Sequence, residues 1–188
     1  RAYSNFVRAR NLFETLGDKS GLAYVYRSLA DLFRPKGDFR KALENSQMAL
    51  ALRKEIGNSR AITSAYMELG LLYEEMDTTQ LAIQQFQRAD SIASVVNDRA
   101  SKAELAVGMA EIYFLENRTA DAISQAEQAL KSVSETSNQK IFLRARLLLA
   151  KCMLLNGREE NAMAILIKSY QSAEISGNLA FQREAAQM

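Results

Sequence analysis

An alanine recurs every 40 residues along this chain, at Ala2, Ala42, Ala82, Ala122 and Ala162. A second column, seven positions further on, runs through Ala9, Ala49, Ala89 and Ala129 and closes with Ser169. Turn-forming pairs mark the same period: Gly17-Asp18, Gly57-Asn58, Asn97-Asp98, Ser137-Asn138 and Gly177-Asn178. Self-similarity held in register over the whole length is the pattern of a solenoid, in which each unit packs on its neighbours. The expected organisation is a single array over 1–188. Its repeats are 19–58, 59–98, 99–138 and 139–178, flanked by partial repeats 1–18 and 179–188.

The composition agrees with long helices. One proline and eight glycines in 188 residues leave too few turn residues for hairpins or sandwiches. A hydrophobic fraction of 48% is incompatible with a disordered chain. Lys+Arg 24 against Asp+Glu 22 gives a net charge of +2, which supplies no basic field for nucleic acid. No apolar run approaches the ~20 residues of a membrane span, so no direct membrane insertion of this segment is expected. Residue 1 falls inside a repeat, which leads us to expect a piece of a longer protein.

Within each unit the apolar residues follow a helical period in two stretches separated by a short break. In the second full unit Ala65, Leu69, Leu72, Tyr73 and Met76 line one helix. After Asp77-Thr78, Ala82, Ile83, Phe86, Ala89 and Ala93 line another. The spacing predicts helices at about 20–34, 38–56, 60–75, 79–96, 100–116, 119–135, 139–156 and 159–175. Partial helices are expected over 1–16 and from Leu179 onward. Pro35 reads as the terminator of the first of these helices, disfavouring helical geometry at Arg34.

The run Tyr66-x-x-Leu69-Gly70-x-x-Tyr73, followed by Ala82-x-x-x-Phe86 and Ala89, resembles the tetratricopeptide repeat with tyrosine in place of tryptophan. Tyr26, Leu29, Ala30, Phe33, Ala42 and Ala49 match in the first unit. Met109, Ala110, Tyr113, Ala122 and Ala129 match in the third, and Leu149, Ala150, Met153 and Ala162 in the fourth. The resemblance implies an all-α fold: a right-handed superhelical solenoid of about four full helical hairpins with half repeats at both ends. Two features depart from the usual 34-residue repeat. The period is 40, and Lys54, Ser94, Ser134 and Glu174 stand where a proline normally ends the second helix, which can therefore run about six residues further. Repeats of this long type are similar to those in bacterial signalling proteins, in sensor regions before histidine kinases or transcriptional regulators. That similarity implies a periplasmic setting if the chain belongs to a membrane sensor, and a cytoplasmic one otherwise.

Chemistry-bearing constellations are absent. Without any histidine, Ser-His and Cys-His pairs, imidazole metal sites and the commonest general base all disappear, so no catalytic residue and no metal ligand is assigned. The single Cys152 shares a register position with Leu32, Leu72 and Ile112 and is expected in the core. No phosphate-cradling glycine loop is present and no cofactor is expected. Asn117-Arg118-Thr119 is a glycosylation triplet only in form. The aromatic residues Tyr26, Phe33, Tyr66, Tyr73, Phe86 and Tyr113, and the methionines Met76, Met109, Met153 and Met163, all fall at core positions.

What remains is the face that tetratricopeptide arrays turn inward, the exposed side of each first helix. The resemblance places Tyr24, Arg27, Asp31 and Arg34 there, then Ser64, Met67, Glu68, Leu71 and Glu75. Glu104, Val107, Glu111 and Phe114 follow, then Arg144, Leu147, Leu148 and Lys151. Spacing by three and four keeps each set on one stripe. Two properties suggest a binding groove: Met67, Leu71, Val107, Phe114, Leu147 and Leu148 are expected to be exposed, and the charges are sorted, acidic in the middle and basic at both ends. The alternative is that the apolar residues touch the neighbouring first helix and the charges pair. The carboxylate clamp of chaperone-tail-binding relatives is broken here, because Arg27 is followed by Asp31, Met67, Glu68 and Glu104. The expected partner is a protein or peptide, specifically a partly basic amphipathic segment. A scaffold or oligomerisation array, including a homodimer, is the rival reading. Nucleic acid is disfavoured by the four central glutamates.

Overall fold

A computed structural model describes residues 2–134, 137–175, 182, 183 and 186. Among the described residues there are nine α-helices and no strands: α1 (Ala2–Leu16), α2 (Lys19–Phe33), α3 (Phe39–Ile56), α4 (Ser59–Glu75), α5 (Thr79–Val95), α6 (Arg99–Leu115), α7 (Thr119–Ser132), α8 (Gln139–Leu155) and α9 (Glu159–Ile175). Each expected helix falls within a few residues of its place. The one from Leu179 and the Gly177-Asn178 pair lie outside the described residues, except that 182, 183 and 186 are helical.

A single turn motif, repeated every 20 residues, sets the helix lengths. Gly17, Gly37 and Gly57 have φ of 65°, 71° and 77°; Asp77, Asn97 and Asn117 follow at 53°, 51° and 59°, and Gly157 at 68°. Glycine and Asx residues occupy this left-handed region at least cost, which is why they close helices. The next residue donates its N–H back to the last turn, as Asp18 to the Phe13 carbonyl at 3.0 Å and Thr78 to the Tyr73 carbonyl at 2.9 Å. It also starts the following helix. The side chains of Asp18, Asp38, Asn58 and Asn138 accept from the N–H three residues on. The same motif thus serves the turns inside hairpins and those between them.

Two boundaries differ from expectation. Helix α2 ends at Phe33, but Arg34 keeps right-handed helical geometry (φ −54°, ψ −52°) and Pro35 sits in a 3-10 turn over Arg34–Lys36. The proline is tolerated because its missing N–H falls in the first turn of that short element, and Gly37 ends it. Helix α7 stops at Ser132 instead of near 135, with Val133 extended (φ −129°, ψ 153°). Serine, not Gly or Asn, stands at position 137. Ser134 and Ser137 donate their backbone N–H groups to each other's hydroxyls at 2.9 and 3.2 Å, competing with the helix. The extended Val133 turns inward and is buried with Ala103, Ala129 and Ile141.

The chain divides into two compact units, Arg1–Asp98 and Arg99–Met188. In the first, α2 packs on α3 and α4 on α5 as hairpins, with α1 against α2 and α3 against α4. In the second, α6–α7 and α8–α9 are the hairpins, and α8 meets both α7 and α6. The alanine columns lie at these interfaces: Ala42, Ala82, Ala122 and Ala162 are all 0% exposed. Ser169 closes its column equally buried, its hydroxyl satisfied by the Ile165 carbonyl at 2.7 Å. Small residues there let helix axes approach, and large ones fill the spaces beside them. Gly70 shows how close the approach is. A Cβ placed on it would stand 2.5 Å from the Phe86 ring, which is itself 1% exposed.

Gly70→Ala should therefore destabilise the protein by about 1–3 kcal/mol, since overpacking outweighs the ~1 kcal/mol gain in helix propensity. Urea unfolding of the two proteins at equal m-value checks this, and a stabilised variant would contradict the packing account.

Candidate functional site

In the first unit the exposed side of α2 and α4 carries a set of linked charges. Arg27 Nε reaches Glu68 Oε1 at 2.9 Å, and Arg34 binds Glu75 through two hydrogen bonds of 2.8 and 2.6 Å. Both pairs join residues 41 apart, one repeat plus one position, so they step from one first helix to the next. Arg27 also stands 3.9 Å from Asp31, one helical turn away. A third guanidinium joins from α3. Arg53 donates Nη1 to Glu68 Oε2 at 3.2 Å and to the Ala61 carbonyl at 3.3 Å.

Sequence reasoning missed Arg53, although a signal existed. Its equivalents in the next three repeats are Ala93, Val133 and Ala173, all buried. A lone charge in such a column must find a partner, and Glu68 supplies it. Burial, opposed by Arg53 and Arg27, holds the Glu68 carboxyl above its ordinary value of 4.5.

Tyr24 projects from α2 beside this network, 64% exposed. It borders a cleft of about 170 Å³ lined also by Ser20, Ala23, Arg53, Ile56, Asn58 and Ala61. The long second helix matters here: Ile56, in the last turn of α3, forms one wall. Met67 and Leu71 are half-buried on α4. Of the residues assigned to the face from sequence, Tyr24, Arg27, Asp31, Met67, Glu68 and Leu71 thus keep accessible surface in this unit.

The second unit departs from expectation. Val107 is 0% exposed, Leu147 4% and Leu148 6%, so these three are core residues and not groove residues. Val107 packs with Ala103, Ala106, Ala129, Val133, Ile141 and Ala145. Leu147 joins Leu143, Ala150, Ala162 and Leu166 between α8 and α9, while Leu148 joins Ala110, Ala126 and Leu149. The cause is that α6 and α8 have several neighbours each. Every residue from Leu105 to Ala110 is buried, a run that no single stripe describes. Phe114 is half-buried against the Leu148 cluster. The polar members stay at the surface: Glu104 is exposed, and Glu111, Arg144 and Lys151 are half-buried. Arg144 Nη2 binds both oxygens of Glu111, at 2.7 and 2.8 Å.

The sorted charges are therefore largely complementary partners on adjacent first helices. Cys152 is fully buried, and burial raises its thiol pKa. Met163, expected in the core, is 50% exposed on α9 beside Ile167 and Tyr170, where a cleft of about 500 Å³ opens. Among the described residues no helix is long and apolar enough to cross a membrane.

No family model and no curated protein matches the sequence. Solved structures do match its fold. Aspartyl phosphate phosphatase F from Bacillus subtilis superposes with a TM-score of 0.89 at 14% identity, over 98% of this chain and 49% of that one. BtubC from P. vanneervenii gives 0.75 at 17% identity, over 94% and 76%. The apo quorum sensor NprR from B. thuringiensis gives 0.72 at 14% identity, over 88% and 46%. The chain spans about half the length of the phosphatase and of the quorum sensor. These likenesses establish an all-α, tetratricopeptide-like helical repeat.

Glu68 offers a pH test. A carboxyl whose folded pKa is raised contributes stability below its ordinary value, and loses that contribution as pH rises through the raised one. The stability of the wild type relative to Glu68→Gln should therefore be greatest below pH 4.5 and decline above it. Thermal unfolding of both proteins across pH 4–8 reads the difference directly, and a difference independent of pH would contradict the assignment.

Proposed function

We propose that the chain is a non-catalytic protein- or peptide-binding module whose contact surface lies on the α2–α4 face of the first unit. The observation carrying this reading is Tyr24: a large aromatic side chain, mostly exposed, at the lip of a cleft and next to a fixed ion network. Exposed tyrosines beside pockets are frequent anchors of binding energy, because they bury a large area with little loss of rotamer freedom. Met67 and Leu71 add apolar surface along the same face. The network supplies rigidity, because Glu68 ties α2, α3 and α4 together.

The partner suited to this face is a short amphipathic segment. Its apolar side chains would meet Tyr24, Met67 and Leu71, and a basic residue would meet Asp31, which Arg27 approaches only to 3.9 Å. We further propose that the module belongs to the sensory or regulatory part of a bacterial signalling protein. The likeness to a quorum sensor and to an aspartyl phosphate phosphatase supports this reading. Binding would act by altering the ion pairs between consecutive first helices.

A second reading, an assembly array, draws on the exposed Met163, Ile167 and Tyr170 of α9. Such apolar area on one helix is a candidate contact between chains.

Selection of random peptides displayed on phage separates the two readings. We expect enrichment of basic, amphipathic sequences whose binding falls at least about tenfold in Tyr24→Ser and in Leu71→Glu. Peptides insensitive to both substitutions, or no enrichment, would sink the binding reading. Sedimentation of the wild type and Ile167→Glu tests the rival: a self-association lost in the variant would favour assembly.

A further inference from the structure

The cleft beside Tyr24 has the capacity of one side chain. Its volume is about 170 Å³, and a protein cavity of about 150 Å³ holds a single benzene. Its apolar walls are Ala23, the Tyr24 ring, Ile56 and Ala61. The polar groups at its edge are already engaged within the chain. Arg53 Nη1 is shared between the Ala61 carbonyl and Glu68, so the guanidinium charge is matched there. Asn58 Oδ1 accepts from the Ala61 N–H at 3.1 Å. An ionised side chain entering this space would lose water without gaining a partner, whereas a neutral apolar one would not.

Two features of the sequence make the cleft. Ile56 lies beyond Lys54, where a 34-residue repeat ends its second helix, so only the longer α3 supplies this wall. The other is the small Ala61, whose counterpart 80 positions on is Ile141. In the second unit Ile141 is 5% exposed, and Val133, the counterpart of Arg53, is 7% exposed. These two pack with Ala103, the counterpart of Ala23. The chain's own side chains thus fill that place, and the opening left beside it is bordered by Arg99, Ser132, Ser134 and Ser137. In the first unit alanine leaves the space free.

We propose that this cleft takes one leucine-sized aliphatic side chain of the partner, and that Ile56 and Ala61 set that specificity. On the peptide-binding reading of the α2–α4 face, on which this rests, that side chain is the partner's anchor residue. Its methyl groups meet Ala23, Ile56 and Ala61, with the Tyr24 ring along one flank. Alanine would leave the space unfilled, and a carboxylate would be desolvated without compensation.

Titration of the isotope-labelled chain, followed by amide chemical shifts, tests the cleft with three probes: the N-acetyl methylamides of leucine, alanine and glutamate. We expect saturable shifts from the leucine probe at residues 20–24 and 53–61, with a dissociation constant on the order of 1 mM for so small a ligand. The alanine probe, three carbons smaller, and the charged glutamate probe should each bind at least about tenfold more weakly. Ala61→Ile should abolish the leucine response by filling the cleft. Ile56→Ser should weaken it about fivefold; Ile56 is 42% exposed, so this variant decides the matter if Ala61→Ile unfolds. Leu71→Glu, outside the cleft, should leave the leucine response unchanged while removing the phage-selected peptides, which separates this proposal from the reading it rests on. Selected peptides that keep their Leu71 sensitivity while the leucine probe fails would sink the anchor alone. No saturable shift from the leucine probe, equal binding of either other probe, or indifference to both cleft substitutions would overturn the proposal.

Discussion

The close approach of paired helices at the alanine columns is the constraint from which the remaining features of the two units follow. Helix axes pack at 8–10 Å when small residues face each other, and only then can a large neighbour reach the space beyond. Phe86 does so over Gly70, and Leu72, Leu105, Ile112 and Leu143 are likewise almost fully buried. Side chains of this kind contribute about 1.5–3 kcal/mol each when removed from water. Any larger residue in a column would separate the helices and expose what lies behind. That is why the columns tolerate Ser169 only with its hydroxyl returned to a backbone carbonyl.

Regular spacing of the helices is the second requirement, and the turn motif supplies it. With a left-handed residue at 17, 37 and 57 and again at 77, the first helices α2 and α4 present equivalent residues at equivalent heights. The ion pairs depend on that registration. Arg27–Glu68 and Arg34–Glu75 share one offset and lie seven residues, two helical turns, apart along each helix. Exposed pairs of this sort are each worth little, about 0–1 kcal/mol. Glu68 is different because it is largely buried and engaged by guanidinium groups from two helices. Removing one member would leave a desolvated charge, so its role is to hold the arrangement more than to add stability.

The repeat also allows function to be read as deviation. Where every copy carries the same residue type, packing explains it. A copy that differs marks a local demand: Arg53 in a column of small apolar residues, or Ser137 in place of a left-handed Gly or Asn. The first produced the Glu68 network, and the second accompanies an early end to α7. Each deviation was visible in the sequence as an exception. Its consequence depended on a residue from another helix.

The sequence by itself determined the helices, their pairing into hairpins and most of the buried positions. All three rest on local periodicity: the 3.6-residue turn, the spacing of small residues and the preference of Gly, Asn and Asp for helix ends. It could not decide which stripe of a first helix remains open. Val107, Leu147 and Leu148 have the spacing of surface residues, yet α6 and α8 meet each other as well as α7, so a second face is covered. Tyr24, with the same spacing, stays exposed. How many neighbours a helix acquires is a property of non-local packing, and only the tertiary structure decided which charges pair and which clefts stay open.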